Sequence, residues 1–487
     1  MSASRERKTR QELAASGQMD QKQQRALEEQ KKERRSKALY TAGAVAFVLL
    51  FAALIVWNSK VIQRNQTALT IGGEKYTAAD VNYYFYNVYS SFVSTYSDSL
   101  EAMGLNTSED LRSQPYYSGE GTWFDFFMDQ AKENMKSVNA VYRDAVANGF
   151  TADESVQTTV DDALAFVDYY ALTTGVDRAS QLKNMYGTMM TEKVFVENTR
   201  KSALADAYSN AKASELTVSE DEMKAAYEKN PAAYDHVSIE MIYFASEATS
   251  ESSESEAAAA LAAAKEKADE ALSRAQHGEE LEDLAAELEG TYYDRPFTNR
   301  SNSGSPTDVV SWAFEDGRKS GDTTVIEYSN GSYNGYYVVL YLGRSINDYH
   351  PVSVRHILVE DKETADEVAS KFNSGDKTEE SFSTLAETYS TDTGSSGSGG
   401  LYEDIYRGEM VPEFEAWCFD SARKPGDTGI VSTDYGYHVM YFVSENEEVY
   451  WKLLAENNLK TEAYNTWFDG LTADIVVTAG SGMKYVW

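Results

Sequence analysis

Val354-Arg355-His356-Ile357-Leu358-Val359 and Gly436-Tyr437-His438-Val439-Met440-Tyr441 decide how this chain reads. Each run sets one histidine among apolar residues with strand character, and the whole chain has only five histidines. Neighbouring strands of one small sheet would place the two imidazoles side by side despite their separation in sequence. A histidine in an apolar strand is by default a satisfied core residue. Two of them at matched places ask for a further reading.

That reading comes from a repeat. The region holding both runs occurs twice, from about Val237 to Arg344 and from about Val352 to Ser444. Val237-Ser238-Ile239 matches Val352-Ser353-Val354, and Ala268-Asp269-Glu270 matches Ala365-Asp366-Glu367. Leu284-Ala285-Ala286-Glu287 aligns with Leu385-Ala386-Glu387, and Trp312-Ala313-Phe314-Glu315 with Trp417-Cys418-Phe419-Asp420. Collinear landmarks of this kind predict two α+β modules. Where the second copy has His356 and His438, the first has Met241 and Tyr337, and nothing there stands in for Asp392. The first copy also carries an insertion at 246–265, read as an acidic linker running into an exposed helix.

The second copy resembles a parvulin-type (PpiC) peptidyl-prolyl cis/trans isomerase domain. The resemblance rests on V-R-H-I-L-V, L-A-E-T-Y-S-T-D, a Ser/Gly run, G-E-M-V-P-E-F, G-D-T-G and S-T-D-Y-G-Y-H, in order over residues 352–444. With the flanking segments, the chain is similar to the PrsA/SurA-like group of extracytoplasmic foldases. The resemblance implies a catalytic cluster of His356, Asp392 and His438. It also implies a proline pocket of Met410, Phe414 and Tyr402, with Thr433 as a hydroxyl of the cluster. Tyr402 departs from the family's usual Leu. By local sequence alone Asp392 could be an Asx-turn residue, and Met410 with Phe414, four apart, a core stripe. No cofactor or metal is expected: there is no H-E-x-x-H and no cysteine pair, Cys418 being the single cysteine. No G-x-S-x-G elbow supports hydrolysis either. The loop Glu360-Asp361-Lys362 is acidic, which argues against a phosphoserine-proline preference.

The charge distribution sets the compartment. Residues 1–37 carry a net +5 and the remaining chain −39, out of −34 overall. The acidic body excludes nucleic acid as a partner. Between these regimes residues 38–57 carry no charge over 20 positions, about 30 Å as a helix, which is the thickness of a bilayer core. Lys31, Lys32, Arg34, Arg35 and Lys37 flank it, so the tail is expected to stay cytoplasmic. No A-x-A-like site follows, which favours an uncleaved signal anchor in a bacterial envelope.

The expected fold class is α+β, with one transmembrane helix, a mostly helical chaperone-like domain and two tandem parvulin-like modules. In chain order these are a disordered basic tail at 1–37, the anchor at 38–57 and the helical domain at 61–232. A degenerate module at 235–346 and the isomerase module at 350–446 follow, then a helix at 447–487 packing on the helical domain. The expected function is a membrane-anchored isomerase and foldase acting on unfolded or partly folded exported polypeptides with X-Pro bonds; a homodimer stays open. The alternative is a holdase with vestigial modules.

Overall fold

Hydrogen-bonded caps fix where the helices begin. Thr77 accepts the Asp80 N–H while the Asp80 carboxylate takes the Thr77 N–H at 2.7 Å, a reciprocal capping box. It opens the aromatic helix Ala78–Thr95, which buries Val81, Tyr83, Tyr84 and Phe85. A second box, Thr122 with Asp125, opens Trp123–Ala147. Trp123, Phe127, Met128 and Met135 from that helix complete the core. The computed structural model describes all residues except 1–2, 16, 18–20, 59–60, 152–153, 250–251, 302–303 and 331–332. The chain divides into two compact units, Met1–Glu215 with Asn465–Trp487, and Leu216–Tyr464.

In the first unit β1 (Thr67–Ile71) and β2 (Glu74–Thr77) pair antiparallel. The C-terminal strand Val477–Ala479 adds to the other side of β1, Leu69 facing Ala479. Arg112 donates to the Val486 carbonyl at 2.9 Å, and the Trp487 ring lies 4.8 Å from Phe85. The end of the chain is thus part of this core. The tail expected to be disordered is helical over its described residues, as Ala3–Ala15 and as the start of Gln21–Asn58. Its Gln/Lys/Arg/Glu content favours helix, and pairs such as Glu33–Lys37 add to that. The 38-residue helix Gln21–Asn58 contains Gln24–Leu54, a stretch long and apolar enough to cross a membrane.

The second unit starts earlier than the 232 boundary read from sequence. Helix Glu220–Lys229, opened by the Ser219–Glu222 capping box, goes with it. Tyr227 bonds Asp235 at 2.9 Å and packs on Trp451. Two four-stranded antiparallel sheets follow. The first uses β3 (Asp235–Ala245), β4 (Thr291–Asn299), β5 (Thr323–Ser329) and β6 (Asn334–Ile346) in the order β4-β3-β6-β5. The second uses β7 (Val352–Val359), β8 (Leu401–Ile405), β9 (Thr428–Thr433) and β10 (Gly436–Glu445) in the order β8-β7-β10-β9.

Each first strand is followed by two helices, Glu254–Ala275 with Leu281–Leu288 and Lys362–Ser374 with Glu379–Tyr389. The insertion at 246–265 runs into a helix that is exposed or half-buried over 254–263. Ser253 caps a helix of 22 residues whose Ala264, Ala268 and Ala271 are buried, so this helix packs on the sheet through small residues. Alternation along β7 and β10 sorts the second core. Ile357, Val359 and Val439 face Phe372 and Phe382, whereas Val354, Met440 and Phe442 face Phe414.

Candidate active site

His356 and His438 share a face because both lie on even-numbered positions of adjacent strands. His356 pairs with Met440 and Leu358 with His438, so the two histidines are diagonal neighbours across the ladder. Their Nδ1 atoms lie 3.1 Å apart, with both rings buried. The Phe414 ring meets both at nearly right angles, with centroids 5.5 and 5.3 Å away. Helix Pro412–Cys418 supplies Phe414, and the half-buried Met410 packs against the same cluster.

The loop at 390–400 brings the acid. Thr391 donates its N–H to the Leu358 carbonyl, and His356 its N–H to Gly400, so the loop is pinned to β7 at both ends. Gly400 sits at φ +73°, and a Cβ there would lie 2.1 Å from the His356 carbonyl oxygen. Asp392 accepts the Gly394 N–H on Oδ1 at 3.0 Å, which is the Asx-turn. Its Oδ2 takes His356 Nε2 at 2.9 Å, Ser395 Oγ at 2.5 Å and the Tyr402 hydroxyl at 3.1 Å. The turn reading and the cluster reading of Asp392 therefore hold together, one on each oxygen.

A single set of proton positions satisfies the network. Asp392 is an acceptor, so His356 carries its proton on Nε2 and accepts on Nδ1. His438 then donates from Nδ1 and accepts on Nε2 from the Thr433 hydroxyl, 2.9 Å away. Thr433 in turn accepts the Tyr435 N–H at 3.1 Å. Burial pushes His356 below its ordinary pKa against the pull of Asp392. Burial and the neighbouring His356 take His438 down to about 4. Burial would raise Asp392, but hydrogen bonds from Ser395, Gly394, His356 and Tyr402 outweigh it and hold the carboxyl at about 2. Both imidazoles are neutral and the carboxylate is charged near pH 7.

All seven residues singled out from sequence lie around this cluster. Tyr402 differs from expectation: its hydroxyl binds Asp392 in addition to its ring lying 5.1 Å from His356. Ser395 was missed. It is buried and touches both Asp392 and His356, but in a Ser/Gly run only its spacing of three from Asp392 could have marked it.

The first sheet shows what the second has gained. Met241 pairs with Val339 and Tyr243 with Tyr337, so Met241 and Tyr337 occupy the register places of His356 and His438. Tyr328, at the place of Thr433, completes a cluster in which the rings of Tyr243, Tyr328 and Tyr337 lie 4.7 to 6.2 Å apart. Between helix Leu281–Leu288 and β4 only residues 289–290 remain, where the second copy has 390–400. The first copy therefore lacks the whole loop that carries Asp392 and Ser395.

Comparison with known proteins agrees with this geometry. A family model described as the PPIC-type PPIASE domain matches residues 337–446, beginning inside β6. The curated foldase protein PrsA 1 of Listeria monocytogenes is 41% identical over 97 residues, 20% of this chain and 32% of that protein. Foldase protein PrsA 3 of Bacillus anthracis is 42% identical over 106 residues, 21% of this chain and 34% of that protein. The chain thus spans about a third of the length of these curated relatives. Among solved structures, PrsA from Bacillus subtilis matches at 15% identity and TM-score 0.26, over 77% of this chain and 92% of that one. The parvulin of Nitrosopumilus maritimus matches at 28% identity and TM-score 0.18, over 20% and 97%. The chain carries a parvulin domain, a peptidyl-prolyl isomerase domain of the PPIC type, at residues 337–446.

Proposed function

We propose that this chain is a membrane-anchored foldase whose second module catalyses cis/trans rotation of X-Pro bonds in exported polypeptides. One observation carries the reading. The hydrogen-bonded chain Thr433–His438–His356–Asp392 lies directly under the apolar wall made by Phe414 and Met410. Rotation about X-Pro is slow because the amide C–N bond is partly double, and no nucleophile is needed to speed it. A catalyst must grip the prolyl ring and favour the twisted amide, in which conjugation is lost. Met410, Phe414 and the Tyr402 ring offer the grip, and neutral imidazoles give that floor a fixed polarity, the charge of the network residing on Asp392. Asp392 acts as a positioning residue: it holds the His356 tautomer, and with three donors on Oδ2 it is not free to attack a carbonyl.

Several features support the rest of the reading. Lys362, in the loop after β7, is already paired with Asp366 at 2.8 Å, which leaves that loop poorly suited to a phosphate. The apolar helix with its basic flank supports a single anchor with the N-terminus inside. The first module reads as a degenerate parvulin, silent because tyrosines fill the place of the polar cluster. A holdase contribution from the first unit is favoured by Phe166, Tyr169 and Leu172, exposed on helix Glu154–Thr174 at 53, 62 and 82%. A prolyl-isomerisation assay on residues 61–487 separates the readings. Activity in the parent chain that is lost in His356→Ala supports the enzyme; a parent chain inactive on every X-Pro peptide leaves the holdase.

A further inference from the structure

A cleft of about 500 Å³ lies between the two modules, a volume typical of ligand sites. One wall is the outer strand of the first sheet, with Arg295, Pro296 and Phe297 of β4. The other is the segment after β8, with Arg407, Met410 and Pro412. The two walls approach closely at the back. A Cβ on Gly408, at φ +84°, would lie 2.2 Å from the Phe297 carbonyl oxygen, so the joint depends on that glycine. Tyr349, from the linker between the sheets, donates or accepts nothing loosely: its hydroxyl receives the Arg407 N–H at 3.0 Å, and its ring contacts Phe297 and Phe419.

The chemistry of the cleft is that of a peptide-binding surface. The Arg407 guanidinium lies over the rings of Phe419 and Phe297 at 4.4 and 5.0 Å. Arg295 has a buried Nε with no partner. Glu409 and Glu415, which line the same cleft, spend their carboxylates on the backbone N–H groups of Tyr406 and Gly408. Fixed guanidinium donors beside Pro296, Phe297 and Pro412 suit main-chain carbonyls and apolar side chains of an extended segment. Met410 belongs both to this cleft and to the apolar cluster around Phe414. Met410 therefore sets the cleft next to the cluster that grips the proline in this reading.

We propose that the inter-module cleft is an extended subsite for the client segment flanking the isomerised X-Pro bond, recognised through its main-chain carbonyls by Arg295 and Arg407. The first module then has a role in catalysis without catalytic residues: it supplies one wall of the site of the second. This rests on the isomerase reading above. It predicts that remote peptide contacts raise turnover efficiency on long substrates and not on short ones.

The test uses the full chain and two X-Pro peptides, one of four residues and one extended on both sides to span the cleft. Arg295→Ala removes a donor, and Ala416→Trp adds bulk at an exposed position lining the cleft. Both variants should lower kcat/KM for the long peptide about fivefold to tenfold and leave the short peptide unchanged. Equal losses on both peptides, or no loss on either, overturn the proposal. Fluorescence anisotropy of the labelled long peptide reads the cleft independently of turnover. Weaker binding in both variants supports the subsite even if the parent chain shows no isomerisation, a result that would sink the isomerase reading instead. Unchanged binding overturns the subsite.

Discussion

The two modules of the second unit share strand order, pairing direction and register, yet only one assembles a polar cluster. Met241 against His356 and Tyr337 against His438 differ at single positions of matched ladders. The larger difference is the loop. Residues 390–400 fold back on β7 and deliver Asp392 and Ser395, whereas residues 289–290 turn directly into β4. A sheet of this kind sets two side chains on one face cheaply through alternation. A carboxylate under that face needs extra chain and glycines that allow close backbone approach. The two copies part at two strand positions and, over a longer stretch, at this loop.

Making the second module like the first is the strongest way to break this comparison. Replacing residues 390–400 by Glu-Gly should abolish isomerisation while the body still folds, seen as a retained cooperative melt without activity. Next in size is Phe414→Ala, which removes a ring 2% exposed that packs edge-on against both imidazoles. Chemical denaturation should show a loss of about 3–5 kcal/mol for the unit that contains it.

Acid sharpens the contrast further. His438 has its folded pKa depressed from 6.5 to about 4, so its neutral form is the one the fold favours. The corresponding stability is complete above pH 6.5 and is lost as pH falls toward 4, amounting to about 2–3 kcal/mol. Asp392, depressed from 3.8 to about 2, adds a second loss between those values, of the same sign. Denaturation midpoints measured from pH 7 to 4 should fall in the parent chain and fall less in His438→Asn. Activity should be flat from pH 8 to 7, where both depressed imidazoles are neutral. The smallest effect is expected from Tyr402→Phe, which removes one of the donors to Asp392. A single hydrogen bond of about 1 kcal/mol predicts roughly a fivefold loss of kcat/KM.

Much of the site was legible because its parts obey local rules. Two histidines in alternating strands are a pattern of short range, and the repeat shows by matching landmarks such as Trp312-Ala313-Phe314 and Trp417-Cys418-Phe419. The proton arrangement was not legible, since it depends on which face each strand buries and on the fold of a Ser/Gly loop. Ser395 and the hydroxyl of Tyr402 act only once that loop has closed on β7. Helix Glu254–Ala275 runs from the exposed insertion into the matched module helix: 254–263 stay exposed or half-buried, whereas Ala264, Ala268 and Ala271 pack on the sheet. The cleft at Arg295 and Arg407 joins segments more than a hundred positions apart and leaves no trace in either alone.

The central claim is that catalysis belongs to the second module. Protease-free prolyl isomerisation by residues 61–487, measured for the parent chain and for the double variant His356→Ala/Asp392→Ala, tests it most directly. The parent chain should accelerate X-Pro rotation, and the double variant should lose about a hundredfold or more of kcat/KM while the first module is untouched. A double variant that keeps the parent's activity would contradict the account, because the catalysis would then lie outside the His–His–Asp cluster.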